Sequence, residues 1–230
     1  MRLLSDIEKF PKWTEFNWIH FEILNSLNAL NKMIVLQNES FMKVREELDK
    51  KIKSAERENG HLKEELMNQY VDRLYGVEDK IIYELELIQD SSQVTTTFSI
   101  FESKLKLICD KINSSFNFKI TDKTKSYNQK YWNYLKAFIG NDISSLENQF
   151  KEIKKLSVVR NIIVHQNLIA TKNQYEKIKN INELNFIDSN NLYYLYSIDL
   201  AFINSLISKI SKFFNELLSH LKIKTNQLLK

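Results

Sequence analysis

The stretch Val44–Ile88 reads VREELDKKIKSAERENGHLKEELMNQYVDRLYGVEDKIIYELELI, and its apolar residues decide the fold class. Val44, Leu48, Ile52, Ala55, Leu62, Leu66, Tyr70, Leu74, Val77, Ile81, Leu85 and Ile88 recur at helical spacing, mostly three or four positions apart. That is the pattern of one face of an α-helix. Taken as continuous, about fifty residues at 1.5 Å each make a helix of roughly 70 Å. Asn59-Gly60 is the natural break, because glycine costs about 1 kcal/mol against alanine inside a helix. Between Lys43 and Glu65 the charge is dense and the stripe narrow. That fits either the solvated face of a projecting helical hairpin or a coiled-coil dimerisation arm.

The same period extends in both directions. Upstream, Thr14 after Pro11 is placed to cap a helix whose apolar positions are Phe16, Ile19, Ile23, Leu27, Leu30 and Ile34, and a second start is read at Asn38 or Ser40. Downstream, Ser91-Ser92-Gln93 reads as a break, and Thr95 to Thr97 as the cap of a helix carrying Phe98, Phe101, Leu105, Ile108 and Ile112. An aromatic stretch with Tyr127, Tyr131, Trp132, Tyr134 and Phe138 predicts a shorter helix closed by Gly140-Asn141-Asp142. The next helix is expected from Ser144 to Asn167, with Leu146, Phe150, Ile153, Leu156, Val159 and Ile163 inward. Residues 171–189 read as a polar surface loop, followed by a last helix from Asn190 to Lys222 bearing Leu195, Ile198, Phe202, Leu206, Ile210, Phe213, Leu217 and Leu221.

Composition supports an all-α protein. With 3 Gly and 1 Pro in 230 residues, against an average near 12 per cent for the two types together, the chain lacks the turn residues that sandwiches, barrels and doubly wound sheets need. Gly60, Gly76 and Gly140 are isolated, which excludes a glycine-rich phosphate loop. The single cysteine, Cys109, excludes a disulfide framework and a multi-thiolate zinc site. A net charge of +4 permits a polyanionic partner without demanding one. No apolar run is long enough to span a membrane and no signal peptide is evident, so a cytoplasmic protein is expected.

Chemistry is concentrated at one place. No two of the four histidines stand at metal-ligand spacing, and Cys109 has no local histidine. His165 differs, standing in Val158-Val159-Arg160-Asn161-Ile162-Ile163-Val164-His165. On a helix Asn161 and His165 share a face, while Arg160 lies about 140° round from His165, within the reach of a long side chain. A permanent charge, an amide and the side chain that changes charge near neutral pH thus leave one apolar helix together. A purely structural role stays open, with Arg160 in a salt bridge and His165 filling a polar gap.

This Arg-Asn-x3-His run resembles the signature of the HEPN domains, a superfamily of helical RNA-cleaving and nucleotide-binding modules. The order of surrounding helices is similar too, with Phe98–Cys109 resembling the family's helix that carries an acidic residue, here Glu102. The resemblance covers residues 92–222. It implies an all-α, HEPN-like helical bundle over 92–230, with 1–91 as an N-terminal helical hairpin extension. It further implies a metal-independent endoribonuclease without cofactor, acting as a homodimer whose two signature helices form one cleft. Arg160, Asn161 and His165 would be catalytic and Glu102 supporting. Lys154, Lys155 and Lys172 flank the motif in sequence, either to attract the RNA backbone or as ordinary solvated lysines. Products would carry 2′,3′-cyclic phosphates, and the biological role would be that of a toxin or abortive-infection effector, restrained by an antitoxin or regulator. The alternative is an inactive HEPN-like dimerisation or nucleotide-binding adaptor that regulates a partner.

Overall fold

A computed structural model of the chain describes residues 15–119, 124, 126–140 and 143–228. Its elements are α1 (Glu15–Glu58), α2 (Glu64–Phe116), α3 (Tyr127–Ile139), α4 (Ser144–His165), β1 (Ile169–Thr171), α5 (Lys172–Ile178), β2 (Leu184–Ser189), β3 (Leu192–Ile198) and α6 (Leu200–Leu228). The fold is predominantly α, with a small antiparallel sheet of order β1-β3-β2 between α4 and α6. The helix start expected at Thr14, and Asn141-Asp142 after α3, lie outside the described residues.

The helical stripes of the bundle pack as their spacing predicts. Phe16, Ile19, Ile23, Leu27, Leu30 and Ile34 of α1 are buried in one core with Phe98, Phe101, Leu105, Ile108 and Ile112 of α2. Phe150 and Ile153 of α4 and Phe202, Leu206, Ile210, Phe213, Leu217 and Leu221 of α6 complete it. At its centre Trp132 stacks on Phe150 with ring centroids 4.9 Å apart, and Phe101 lies 5.6 Å from both Phe213 and Phe214. Four helices therefore meet at one aromatic cluster.

Two expected interruptions are absent. α1 runs unbroken past Asn38 and Ser40, and Gln37 and Asn38 turn towards α2 instead of capping. Gln93 Nε2 donates to Gln37 Oε1 at 2.8 Å, and Gln89 Nε2 to Asn38 Oδ1 at 3.4 Å. α2 likewise runs through Ser91-Ser92-Gln93. Thr95 and Thr97 donate to the carbonyls four residues back, at 2.9 and 2.7 Å, so their hydroxyls are satisfied within the helix. Burial of Val94, Thr97 and Phe98 outweighs the weak helix propensity of this run. Position 91 thus lies inside α2, a helix shared by the extension and the bundle. The break at Asn59-Gly60 is observed, with Leu62 N–H donating to the Asn59 carbonyl at 2.9 Å.

The hairpin arm of α1 and α2 departs further from the expectation. Leu48 and Ala55 of α1 and Ile82 of α2 are buried where the two helices meet. Arg45 bridges Asp79 and Glu86 at 2.6 and 2.9 Å, and Lys51 pairs with Glu78 at 2.7 Å. The regular α2 stripe, Leu66, Tyr70, Leu74, Val77, Ile81, Leu85 and Ile88, faces solvent instead. Its phase matches that of α1 in the sequence, but the turn at Gly60 directs the two stripes differently.

The loop expected over 171–189 and the helix start at Asn190 are also corrected. Residues 169–198 form β1, the short helix α5, and the β2–β3 hairpin. Asn190 and Asn191, at φ 55° and 66°, make the two-residue turn of that hairpin. Leu192-Tyr-Tyr-Leu-Tyr-Ser-Ile198 is rich in the aromatic residues that favour strands, and Leu195 and Ile198 enter the core from β3 rather than from α6. Thr171 and Gln174 form a reciprocal capping box that starts α5.

Phe101→Ala should lower stability by about 3–5 kcal/mol, because it removes the ring shared by three helices. Urea unfolding followed by circular dichroism measures this; a loss below 1 kcal/mol would contradict the placement of the core.

Candidate functional site

α4 is buried by Leu146, Phe150 and Ile153 in its first half and by Val159 and Ile162, about half a turn further round, in its second. Arg160 is half-buried, whereas Asn161 and His165 are exposed. Arg160 Nη1 donates to Asn161 Oδ1 at 3.2 Å and contacts His165 Nε2 at 3.3 Å. Since a guanidinium only donates, this contact is a hydrogen bond only with Nε2 as the acceptor. The three residues singled out from the sequence therefore converge on one nitrogen of Arg160.

The rest of that guanidinium is underused. Its Nε is buried without a hydrogen-bond partner among the described residues. No described carboxylate lies within 4.0 Å of it, so the salt bridge that a purely structural arginine would make is not found among those residues. A charged donor buried without an acceptor is costly, and Nη2, neither buried nor hydrogen-bonded among the described residues, is the part of the guanidinium open to an anion.

The end of α4 is held firmly. Asn167 and Leu168, at φ 50° and 67°, reverse the chain, and Ile169 N–H closes the turn on the Gln166 carbonyl at 3.0 Å. A leucine in the left-handed region is strained. The strain is offset by the Leu195 N–H of β3 donating to the Leu168 carbonyl at 2.9 Å, and by packing of Leu168 on the core. The sheet thus anchors the turn that follows His165.

The other expected site residues are distributed differently. Glu102 Oε1 accepts from Asn128 Nδ2 of α3 at 2.9 Å, and no hydrogen bond or ion pair is seen between Glu102 and Arg160 or His165. Lys154 donates to Gln129 Oε1 of α3 at 2.7 Å. It sits two turns before Asn161 on the same face of α4. Lys155 and Lys172 are exposed, the latter as the first residue of α5. His20 is bonded to Asn215 at 2.7 Å, and His61 is exposed at the α1–α2 turn. Burial pushes the Cys109 thiol up to about 12, which makes it a poor nucleophile. Among the described residues, no group of three or more His, Cys, Asp and Glu side chains is placed to hold a metal ion. No described helix is long and apolar enough to cross a membrane.

One titratable group had no signal in the sequence. Asp90 lines a cavity of about 450 Å³ with Arg45, Tyr83, Glu86 and Tyr196, between the arm and β3. The Tyr83 hydroxyl donates to the Tyr196 carbonyl across its wall. Burial, with Glu86 and Asp199 nearby, pushes the Asp90 carboxyl up to about 7. Nothing in its sequence neighbourhood, Ile88-Gln89-Asp90-Ser91, reveals this, because β3 is more than a hundred residues away in the chain.

Because the folded-state value is raised, the folded protein binds more protons than the unfolded chain between about pH 4 and pH 7. Stability from this group is full below pH 4 and falls as pH rises through 7. Asp90→Asn should therefore stabilise by about 1 kcal/mol at pH 8, after discounting for the water that reaches the cavity, and by nothing near pH 4. Urea midpoints at the two pH values measure this. At the motif, Asn161→Ala and His165→Ala should each change stability by less than about 0.5 kcal/mol, as exposed side chains do. A loss of 2 kcal/mol from either would mark it as structural.

Comparison with protein-family models, with curated proteins and with solved structures gives no match.

Proposed function

We propose that the chain is a metal-independent endoribonuclease of the HEPN kind, acting on RNA in the cytoplasm as a toxin or abortive-infection effector. The observation that carries this reading is the convergence of Arg160, Asn161 and His165, with Arg160 Nε buried and unpaired among the described residues. A phosphodiester is an anion with planar sets of acceptor oxygens, which is what an arginine fork lacking a carboxylate partner is suited to hold. His165 Nε2, released from Arg160 by the incoming phosphate, takes the 2′-hydroxyl proton. The 2′-oxygen then attacks phosphorus, Arg160 stabilises the charge on the pentavalent phosphorane, and the 5′-oxygen leaves with a proton.

Asn161 steadies Arg160 through the bond from Nη1 to Oδ1. One chain presents a single histidine at the motif, and a concerted base and acid call for two. A homodimer with α4 facing α4′ across a two-fold axis supplies the second. Lys154, Lys155 and Lys172 add positive charge around the RNA path; Glu102 acts through Asn128 and α3. An antitoxin or regulator that covers α4 would hold the enzyme inactive.

Expression of the wild-type chain in bacteria should arrest growth, and His165→Ala should relieve the arrest. In vitro, His165→Ala should lower RNA cleavage by about 10²–10⁴-fold, while wild-type cleavage persists in EDTA. A folded His165→Ala protein that cleaves as the wild type does would overturn the reading. Harmless and inactive preparations of both would favour the adaptor.

A further inference from the structure

Seven large apolar side chains on the free face of α2 stay in contact with water. They are Leu66, Tyr70, Leu74, Val77, Ile81, Leu85 and Ile88, each between 36% and 73% exposed, with Val77 the most exposed. Their spacings are four, four, three, four, four and three. This is an 11-residue repeat of about 3.67 residues per turn, whose stripe runs nearly parallel to the axis of a straight helix. The stripe is about 33 Å long. It stops sharply at Ser92, after which the same face continues with Thr96, Ser99 and Ser103. Together the seven expose on the order of 600 Å² of apolar surface, the upper end of what a monomer ordinarily leaves in water.

We propose that this stripe pairs with the same stripe of a second copy, antiparallel about a two-fold axis at Val77. Three observations select a second copy in that orientation. The first is the near-palindromic spacing. With Val77 facing Val77′, Ile88 meets Leu66′ at the same height. Ile81 meets Leu74′ and Leu85 meets Tyr70′, each one residue, or about 1.5 Å, apart. The second is charge. The α1 side of the stripe is already closed by the Lys51–Glu78 and Arg45–Glu86 pairs. The open side carries Arg73 and Glu84, four residues before and seven after the axis, with Lys80 further round towards solvent. Antiparallel pairing brings Arg73 within about 4.5 Å, along the axis, of the height of Glu84′, twice by symmetry. Parallel pairing sets Arg73 level with Arg73′.

The third observation is area. Two stripes bury about 1,200 Å² in all, the lower bound of a stable specific interface. Two-fold pairing is also isologous and therefore closes. The residues involved are all outside the Arg160–His165 motif, so the inference does not depend on the proposed nuclease activity. The pairing also leaves the two bundles at opposite ends of the joined arms, about 40 Å apart where each begins at residue 91. It is thus a separate contact from one that brings α4 to α4′. A chain using both contacts forms a tetramer or a longer array.

Cysteine cross-linking of the full-length chain tests the register, since Cys109 is buried. Leu66→Cys and Ile88→Cys proteins, mixed and mildly oxidised, should give a 66–88′ disulfide dimer at least tenfold above either protein alone. Val77→Lys, which leaves the fold intact by circular dichroism, should halve the mass in sedimentation. Arg73→Glu or Glu84→Arg alone should weaken association about tenfold, and mixing the two variants should restore it. Three results would each overturn the proposal: no 66–88′ link, a 66–66′ link in its place, or a mass unchanged by Val77→Lys. A stripe reserved for a different protein leaves the purified arms unpaired and gives the first of these.

Discussion

The face-to-face contact of Trp132 with Phe150, 4.9 Å between ring centroids, is the constraint on which the remainder of the structure rests. Phe150 belongs to α4 and also meets Phe101 of α2 and Phe213 of α6. Fixing that ring fixes which side of the first half of α4 is buried, while Val159 and Ile162, about half a turn round, bury its second half. On its second half Asn161 and His165 are exposed, with Arg160 half-buried at the boundary. Aromatic rings bury large areas in few rotamers, so the cluster orders four helices at modest entropic cost. The candidate site is therefore positioned from beneath by the core and from its far end by β3.

Partial burial of Arg160 is what separates this motif from an ordinary surface arginine. A guanidinium free in water has its donors hydrated and little to gain from an anion. Here Nε is withdrawn from solvent without a partner among the described residues, and Nη1 is shared between Asn161 and His165. The folded chain bears a desolvation cost at Nε, while Nη2 is left open to bind a phosphate. Such preorganised, underused charge is the physical basis of transition-state stabilisation, because the reorganisation is completed on folding rather than during the reaction.

Much of this was legible in the residues, and the exceptions have physical causes. The period-3.6 stripes of α1 and α6 in the bundle named buried residues because burial on one side is what such a stripe means. In α4 Leu156 and Ile163 are only partly buried, and Ile162, outside the expected stripe, is fully buried. The α2 arm misleads because Leu66 to Ile88 carries an equally regular stripe that α1 does not cover. Periodicity identifies an apolar face, not what covers it. The Ser91–Thr97 run looked like a break since hydroxyls compete for backbone partners. Within a packed helix they bond backwards and the helix continues. The β2–β3 hairpin was missed although Asn190-Asn191 and three tyrosines signal it, because a 3.6 period was extended across Leu195 and Ile198. Arg160, Asn161 and His165 were legible as a cluster, since five residues of helix fix their relation. The lack of a bond between Glu102 and that cluster, and the neighbours of Asp90, depend on contacts between distant segments and were not.

The chemistry of the cleaved ends tests the central claim most directly. A short RNA cut by the purified chain, with its ends resolved by mass spectrometry, should carry a 2′,3′-cyclic phosphate on one fragment and a 5′-hydroxyl on the other. Only attack by the neighbouring 2′-oxygen, promoted by His165 and Arg160, leaves that pair of ends. Fragments bearing a 3′-hydroxyl and a 5′-phosphate would show that water, not the 2′-oxygen, is the nucleophile, and would contradict the account.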